Sequence, residues 1–137
     1  MTPTLPDLLM GQYLSLTLPM PPEAGPDYAA GRLGLIGMIA ILTAQEAEHG
    51  VAARVWENRA LFDLLARAAE RYDCAVGEEA ETDLSLTALD AVNAPLRRRL
   101  IALHEAVEAA NDTVLDAEII ALYQAMAHHR RLVLSPG

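Results

Sequence analysis

The fold this sequence predicts is an all-α bundle built on one long helix, and three observations carry the prediction. The stretch from Asp27 to Asp73 holds no proline. Its small and apolar side chains recur at steps of three and four: Leu33, Gly37, Ala40, Ala44, Ala47, Val51, Val55, then Phe62, Leu65, Ala69 and Tyr72. That period belongs to a helix burying one face. Two shorter stripes follow, Leu96, Leu100, Leu103, Val107 and Ala110, then Leu115, Ile119, Leu122, Met126, His129 and Val133. Only about three residues separate these two helices, so an antiparallel hairpin is expected, packed on the long helix. Alanine and leucine supply most of the apolar content, beside one Trp, one Phe and four Tyr, which favours helix over sheet.

The elements are justified in chain order. Residues 1–26 contain six of the eight prolines, so an extended N-terminal arm is expected there, with residues 27–137 forming a single bundle domain. Within the arm, Pro6 to Met10 predicts one helical turn ended by Gly11. The alternation Leu14, Leu16, Leu18 predicts an extended segment that lays its leucines on the helices of this or another subunit.

Asp27 caps the long helix, and Gly31, Gly34 and Gly37 follow at steps of three. Each glycine costs about 1 kcal/mol against alanine in a helix interior, so the close approach of another backbone is expected, irregular first turns being the alternative. The run Leu33–Leu42 is apolar on nearly every side and is expected at the centre of the fold. It is ten residues long between Arg32 and Thr43, short of the roughly 20 that cross a bilayer, so no membrane span is predicted.

Gly50 permits either a helix end or a continuous, mildly kinked helix. The seam keeps phase across it, which favours continuity. Asn58 is the one strongly polar residue on the seam and is predicted as a polar core residue that sets helix alignment. Residues 73–84 read as an acidic linker. Ser85 or Thr87 opens a short helix to Asn93; Asn93 or Ala94 caps the next, with Pro95 in its first turn. Thr113 and Asp116 form a capping pair for the last helix.

Composition narrows the function. The net charge is −9, and all ten basic residues are arginine; the acidic balance argues against nucleic acid as a partner. Cys74 is the lone cysteine, so no internal disulfide forms and a reducing, cytoplasmic setting is expected. The N-terminus does not resemble a secretory signal. No phosphate-binding glycine loop and no serine or cysteine nucleophile motif is present, so no catalysis and no cofactor is predicted.

Two constellations remain. Arg97, Arg98 and Arg99 open one hairpin helix while Arg130 and Arg131 close the other, which gathers five cations at one end. Three arginines at a helix N-terminus oppose the helix dipole, so a site for an acidic partner or an anion is expected there. The alternative is pairing with the chain's own acids. Glu46 and His49 form an E-x-x-H pair, which with His104 and His129 outlines a metal-binding alternative of the di-iron bundle kind.

Two stretches resemble a known family. Asn58-Arg59-Ala60-Leu61-Phe62-Asp63-Leu64-Leu65 is similar to the N-x-x-L-W-x-x-L stretch of the flagellin-assembly FlaF proteins, with Phe62 in the Trp position. Leu96-Arg97-Arg98-Arg99-Leu100-Ile101-Ala102-Leu103 resembles that family's L-R-x-x-(L/I)-I-x-L stretch. The segment between them is longer here, and the family's I-D-x-N stretch has no counterpart. The resemblance implies a small cytoplasmic helical protein that binds flagellin.

The residues themselves describe a non-enzymatic protein-interaction or chaperone-type factor, a homodimer through its glycines and leucines. A ligand- or metal-binding bundle and a structural subunit of a larger assembly are the alternatives.

Overall fold

A computed structural model describes residues 4–74, 76 and 83–134. Their secondary structure is entirely helical: α1 Leu5–Thr17, α2 Pro26–Tyr72, α3 Leu86–Ala109 and α4 Thr113–His129. The chain divides into two compact units, one of residues 1–49 with 132–137 and the other Gly50–Arg131. The division differs from the expected one, an arm to residue 26 and one domain after it. It falls inside α2, which continues through Gly50 without a break. The acidic linker lies largely outside the described residues.

In the first unit the expected extended arm is instead a helix. Pro6 sits in the first turn of α1, where its missing N–H costs nothing. Thr4 caps that turn: its hydroxyl accepts from the Asp7 amide, and the Asp7 carboxylate accepts from the Thr4 amide at 3.0 Å. Residues 7–18 hold no proline and one glycine, and the leucines, methionine and glutamine among them are good helix formers.

Against α1 lies the start of α2. Gln12 Nε2 reaches the Ile36 carbonyl at 3.5 Å, and Arg32 Nη2 donates to the carbonyls of Ser15 and Leu18, the open C-terminal end of α1. Near the other end of this part of α2, the Gln45 amide brackets Val133, donating to its carbonyl at 2.7 Å and accepting from its amide at 2.8 Å.

The second unit holds the core. Leu61, Leu64, Leu65 and Ala68 of α2 meet Leu96, Leu100, Leu103 and Val107 of α3 and Ile119, Leu122 and Met126 of α4. The middles of the expected stripes of α3 and α4 are thus buried, but Leu115 is only half-buried, Ala110 and His129 are exposed at the helix ends, and Val133 lies past the helix and is exposed. On α2 the expected seam is buried at Asn58 and Leu65, but Arg54, Glu57, Leu61 and Ala68, each one position before a seam residue, are buried as well, while Phe62 and Ala69 are only half-buried.

Two helix boundaries also differ. The short helix expected before Asn93 and the longer one after it are a single helix, capped by Ser85 with Pro95 inside. Leu89, Asn93, Leu96, Leu100, Leu103 and Val107 are all buried at steps of four and three, so packing carries the helix past the hydrogen bond that Pro95 cannot make. Asp112, not Thr113, caps α4 by accepting from the Leu115 amide, while Asn111 turns the chain with φ 53°.

Candidate functional site

Position in the helical period explains why the second unit carries charge inside. Arg54, Glu57 and Asn58 fall on the face of α2 that looks into the bundle, and all three are buried. The Glu57 carboxylate is the centre. Arg97 Nε of α3 donates to Oε1 at 2.6 Å, Arg130 Nε after α4 donates to Oε2 at 2.6 Å, and Asn93 Nδ2 adds a third bond to Oε1 at 2.8 Å.

Burial alone would push this carboxyl up. Hydrogen bonds from Arg97 and Asn93, with the charges of Arg130 and Arg97, overcome that and hold it below its ordinary value. Beside it, Asn58 accepts from Asn93 at 2.8 Å and donates to the Leu89 carbonyl at 3.1 Å, and Arg54 pairs with Asp90 at 2.7 Å. All three helices are tied through one carboxylate.

This accounts for two of the five arginines expected to hold an acidic partner. Arg97 and Arg130 converge as the hairpin predicts, and the acid between them is the chain's own Glu57. One Nη of Arg130 is buried with no partner among the described residues. Among the described residues Arg99 reaches the Val76 carbonyl at 3.5 Å. Arg98 and Arg131 are exposed. Sequence reasoning missed Glu57, since an acid one position from a seam reads as solvated. The signal was its neighbour Asn58 together with the arginines at the facing ends of the two hairpin helices.

The four residues of the metal alternative do not form one cluster within either unit. Glu46 and His49 belong to the first unit. His129 stacks on Trp56 with ring centroids 3.7 Å apart. His104 lies 2.9 Å from Asp116 and 3.9 Å from Glu108; Asp116 is 13 residues before His129 on α4, roughly 20 Å along the axis. His104, Glu108 and Asp116 have ligand atoms within 4.8 Å of one another, a histidine already hydrogen-bonded to a carboxylate.

Most of the exposed large apolar side chains belong to the first unit. Leu33–Leu42, expected at the centre of the fold, is mostly on the outside: Leu33, Leu35, Met38 and Ile41 are exposed, Leu33 by 64%. Leu9, Met10 and Leu16 of α1 are exposed as well, and no residue of α1 is buried. A Cβ added to Gly31, Gly34 or Gly37 would meet nothing within 4 Å, so among the described residues no backbone makes the expected close approach. By length and composition α2 also contains a stretch apolar enough to cross a membrane, little of it buried. No family model matches the chain, and no curated protein or solved structure is similar to it.

Proposed function

We propose that this chain is a non-enzymatic interaction protein that docks to another protein through the helical hairpin formed by α1 and the first half of α2. One observation carries the reading: twelve large apolar side chains between Leu9 and Ile41 are exposed by 39–64%. Exposed apolar surface on this scale marks an interaction site. The stretch 28–45 carries a single charged residue, Arg32, so the surface offers apolar area and little else. The charged clamp around Glu57 holds the bundle of the second unit together. The two stretches that resemble the flagellin-assembly family contribute Leu61, Leu64, Leu65, Leu96, Leu100 and Leu103 to the core. Their likeness is therefore to a bundle interior and does not select flagellin as the partner.

The test is a photo-crosslinking residue in place of Leu35 in the full chain, with Ile101, exposed on the second unit, as the control position. A protein adduct at position 35 that disappears when Met38→Glu is added supports the reading. Adducts to lipid alone, or no adduct at position 35, overturn it.

A further inference from the structure

We infer that His104, Glu108 and Asp116, at the corner where α3 turns into α4, bind one divalent transition-metal ion, with zinc the best match. The inference is independent of the docking reading above. It begins with spacing. His104 and Glu108 stand four apart on α3 and therefore share a face. Asp116 lies in the first turn of α4, and the turn that returns it to them is tightly built. The Asn111 amide donates to the Glu108 carbonyl at 3.0 Å, the Asp112 amide donates to the Val107 carbonyl at 3.1 Å, and Asn111 takes a left-handed φ of 53°. Val107 and Ile119, close in sequence to Glu108 and Asp116, are fully buried, so the core holds the backbone that carries the ligands. Of the four residues the sequence outlined for a metal, only His104 belongs here.

The distances suit an ion. His104 Nε2 lies 2.9 Å from Asp116 Oδ1 and 3.9 Å from Glu108 Oε1, and the three ligand atoms are within 4.8 Å of one another. Zinc bonds of about 2.1 Å place neighbouring ligand atoms about 3.0–3.4 Å apart, from octahedral to tetrahedral geometry. The pair of His104 and Asp116 has to open only slightly. Glu108 has to close by roughly half an ångström, and its side chain, 67% exposed, has room to turn. The half-buried His104 ring lies against Tyr123, ring centroids 5.6 Å apart, which limits its rotation.

Charge supplies the reason for an ion over a plain histidine–aspartate pair. Asp112 and Glu118, near the same corner, each have an arginine: Arg71 at 2.6 Å and Arg67 at 3.2 Å. Among the described residues neither Glu108 nor Asp116 has one; both face His104. One imidazole cannot neutralise two carboxylates, so the trio keeps at least one negative charge. A divalent cation offsets both carboxylates and takes the place of the Nε2 proton, which leaves to solvent.

Donor type narrows the ion. An imidazole nitrogen beside carboxylate oxygens suits zinc and its first-row neighbours, whereas calcium and magnesium favour oxygen alone. A cavity of about 220 Å³ adjoins Glu108 and Asp116 and is lined also by Asn111, Asp112 and Thr113. It has room for the water that completes a three-ligand site. Because the ligands come from both helices, the bound ion staples the hairpin at its turn.

The experiment uses the full chain without a histidine tag, in a Cys74→Ser background that removes the one thiol. Zinc chloride titrated by calorimetry should show one saturable site per chain, and saturation should raise the melting temperature. Glu108→Gln, Asp116→Asn and His104→Gln should each weaken binding about tenfold or more, while Glu46→Gln combined with His49→Gln should leave it unchanged. Glu108 is exposed, so its variant reads the site without risk to the fold. On zinc addition the Nε2 NMR signal of His104 should move more than those of His49, His128 and His129. Absence of saturable binding, binding that Glu108→Gln and His104→Gln leave unchanged, or displacement of zinc by an equal concentration of calcium overturns the site.

Discussion

Glu57 bears more of the second unit's organisation than any other side chain, because an ionised carboxylate without exposure is tolerable only when its partners hold. Removing the charge by Glu57→Gln leaves Arg97 and Arg130 facing each other across a neutral amide. Breaking a buried pair from one side costs about 3–5 kcal/mol, and the partial exposure of both arginines reduces that to about 2–4 kcal/mol. Urea unfolding followed by circular dichroism should show this loss. Arg97→Gln should cost about 1–3 kcal/mol for the same reason, whereas Arg98→Gln, with no partner among the described residues, should change stability little. A buried acceptor is what separates them.

The pH dependence follows from the same carboxyl. Its folded value lies below the ordinary 4.5, so its stabilising contribution is complete above that value and is lost as pH falls through the folded one. Asp112, lowered first by the Tyr72 hydroxyl at 2.7 Å and further by Arg71, acts in the same direction. Melting temperature should therefore be flat from neutral pH to about 5 and fall below it, and Glu57→Gln should flatten that fall. Asn58→Leu is expected to destabilise, because it removes the bond to the Leu89 carbonyl and takes one buried partner from Asn93. A seam asparagine that served only to fix alignment would instead give a higher melting temperature when replaced.

At the level of helices, α3 shows tertiary packing overruling a local stop signal. Pro95 stands ten positions beyond the Ser85 cap, where it removes one backbone bond and crowds the preceding turn, at about 3 kcal/mol in an exposed helix. Pro95→Ala should therefore raise stability by about 1–3 kcal/mol, read from the urea midpoint at constant slope. A decrease would mean that the bundle needs the bend proline imposes. In α1 the balance is different. That helix has no buried residue, so its capping pair matters more to it, and Thr4→Ala should loosen α1 at a cost of about 1 kcal/mol.

On the scale of the molecule, apolar burial is distributed unequally. Every residue of the clustered core lies between Leu61 and Met126, in the second unit. The first unit is held by a few hydrogen bonds and by half-buried contacts. Hydrogen exchange should therefore show strong protection in α3, α4 and the second half of α2, and much weaker protection in α1.

Much of this was legible in the amino-acid sequence, and the reason is periodicity. A stripe such as Leu96, Leu100, Leu103 and Val107 can be buried only on a helix, and a three-residue join forces two helices antiparallel. The helical class, the hairpin of α3 and α4, the continuity through Gly50 and the buried Asn58 followed from that. Periodicity does not say which of several apolar faces receives a partner. The run Leu33–Leu42 is apolar all round, and local pattern gave it no direction; only α1, folded against one side by Arg32 and Gln12, left the glycine side bare. Nor does pattern distinguish a solvated acid from a buried one. Glu57 is inside because Arg97 and Arg130 arrive from helices 40 and 73 residues away, a convergence that exists only once the chain has folded.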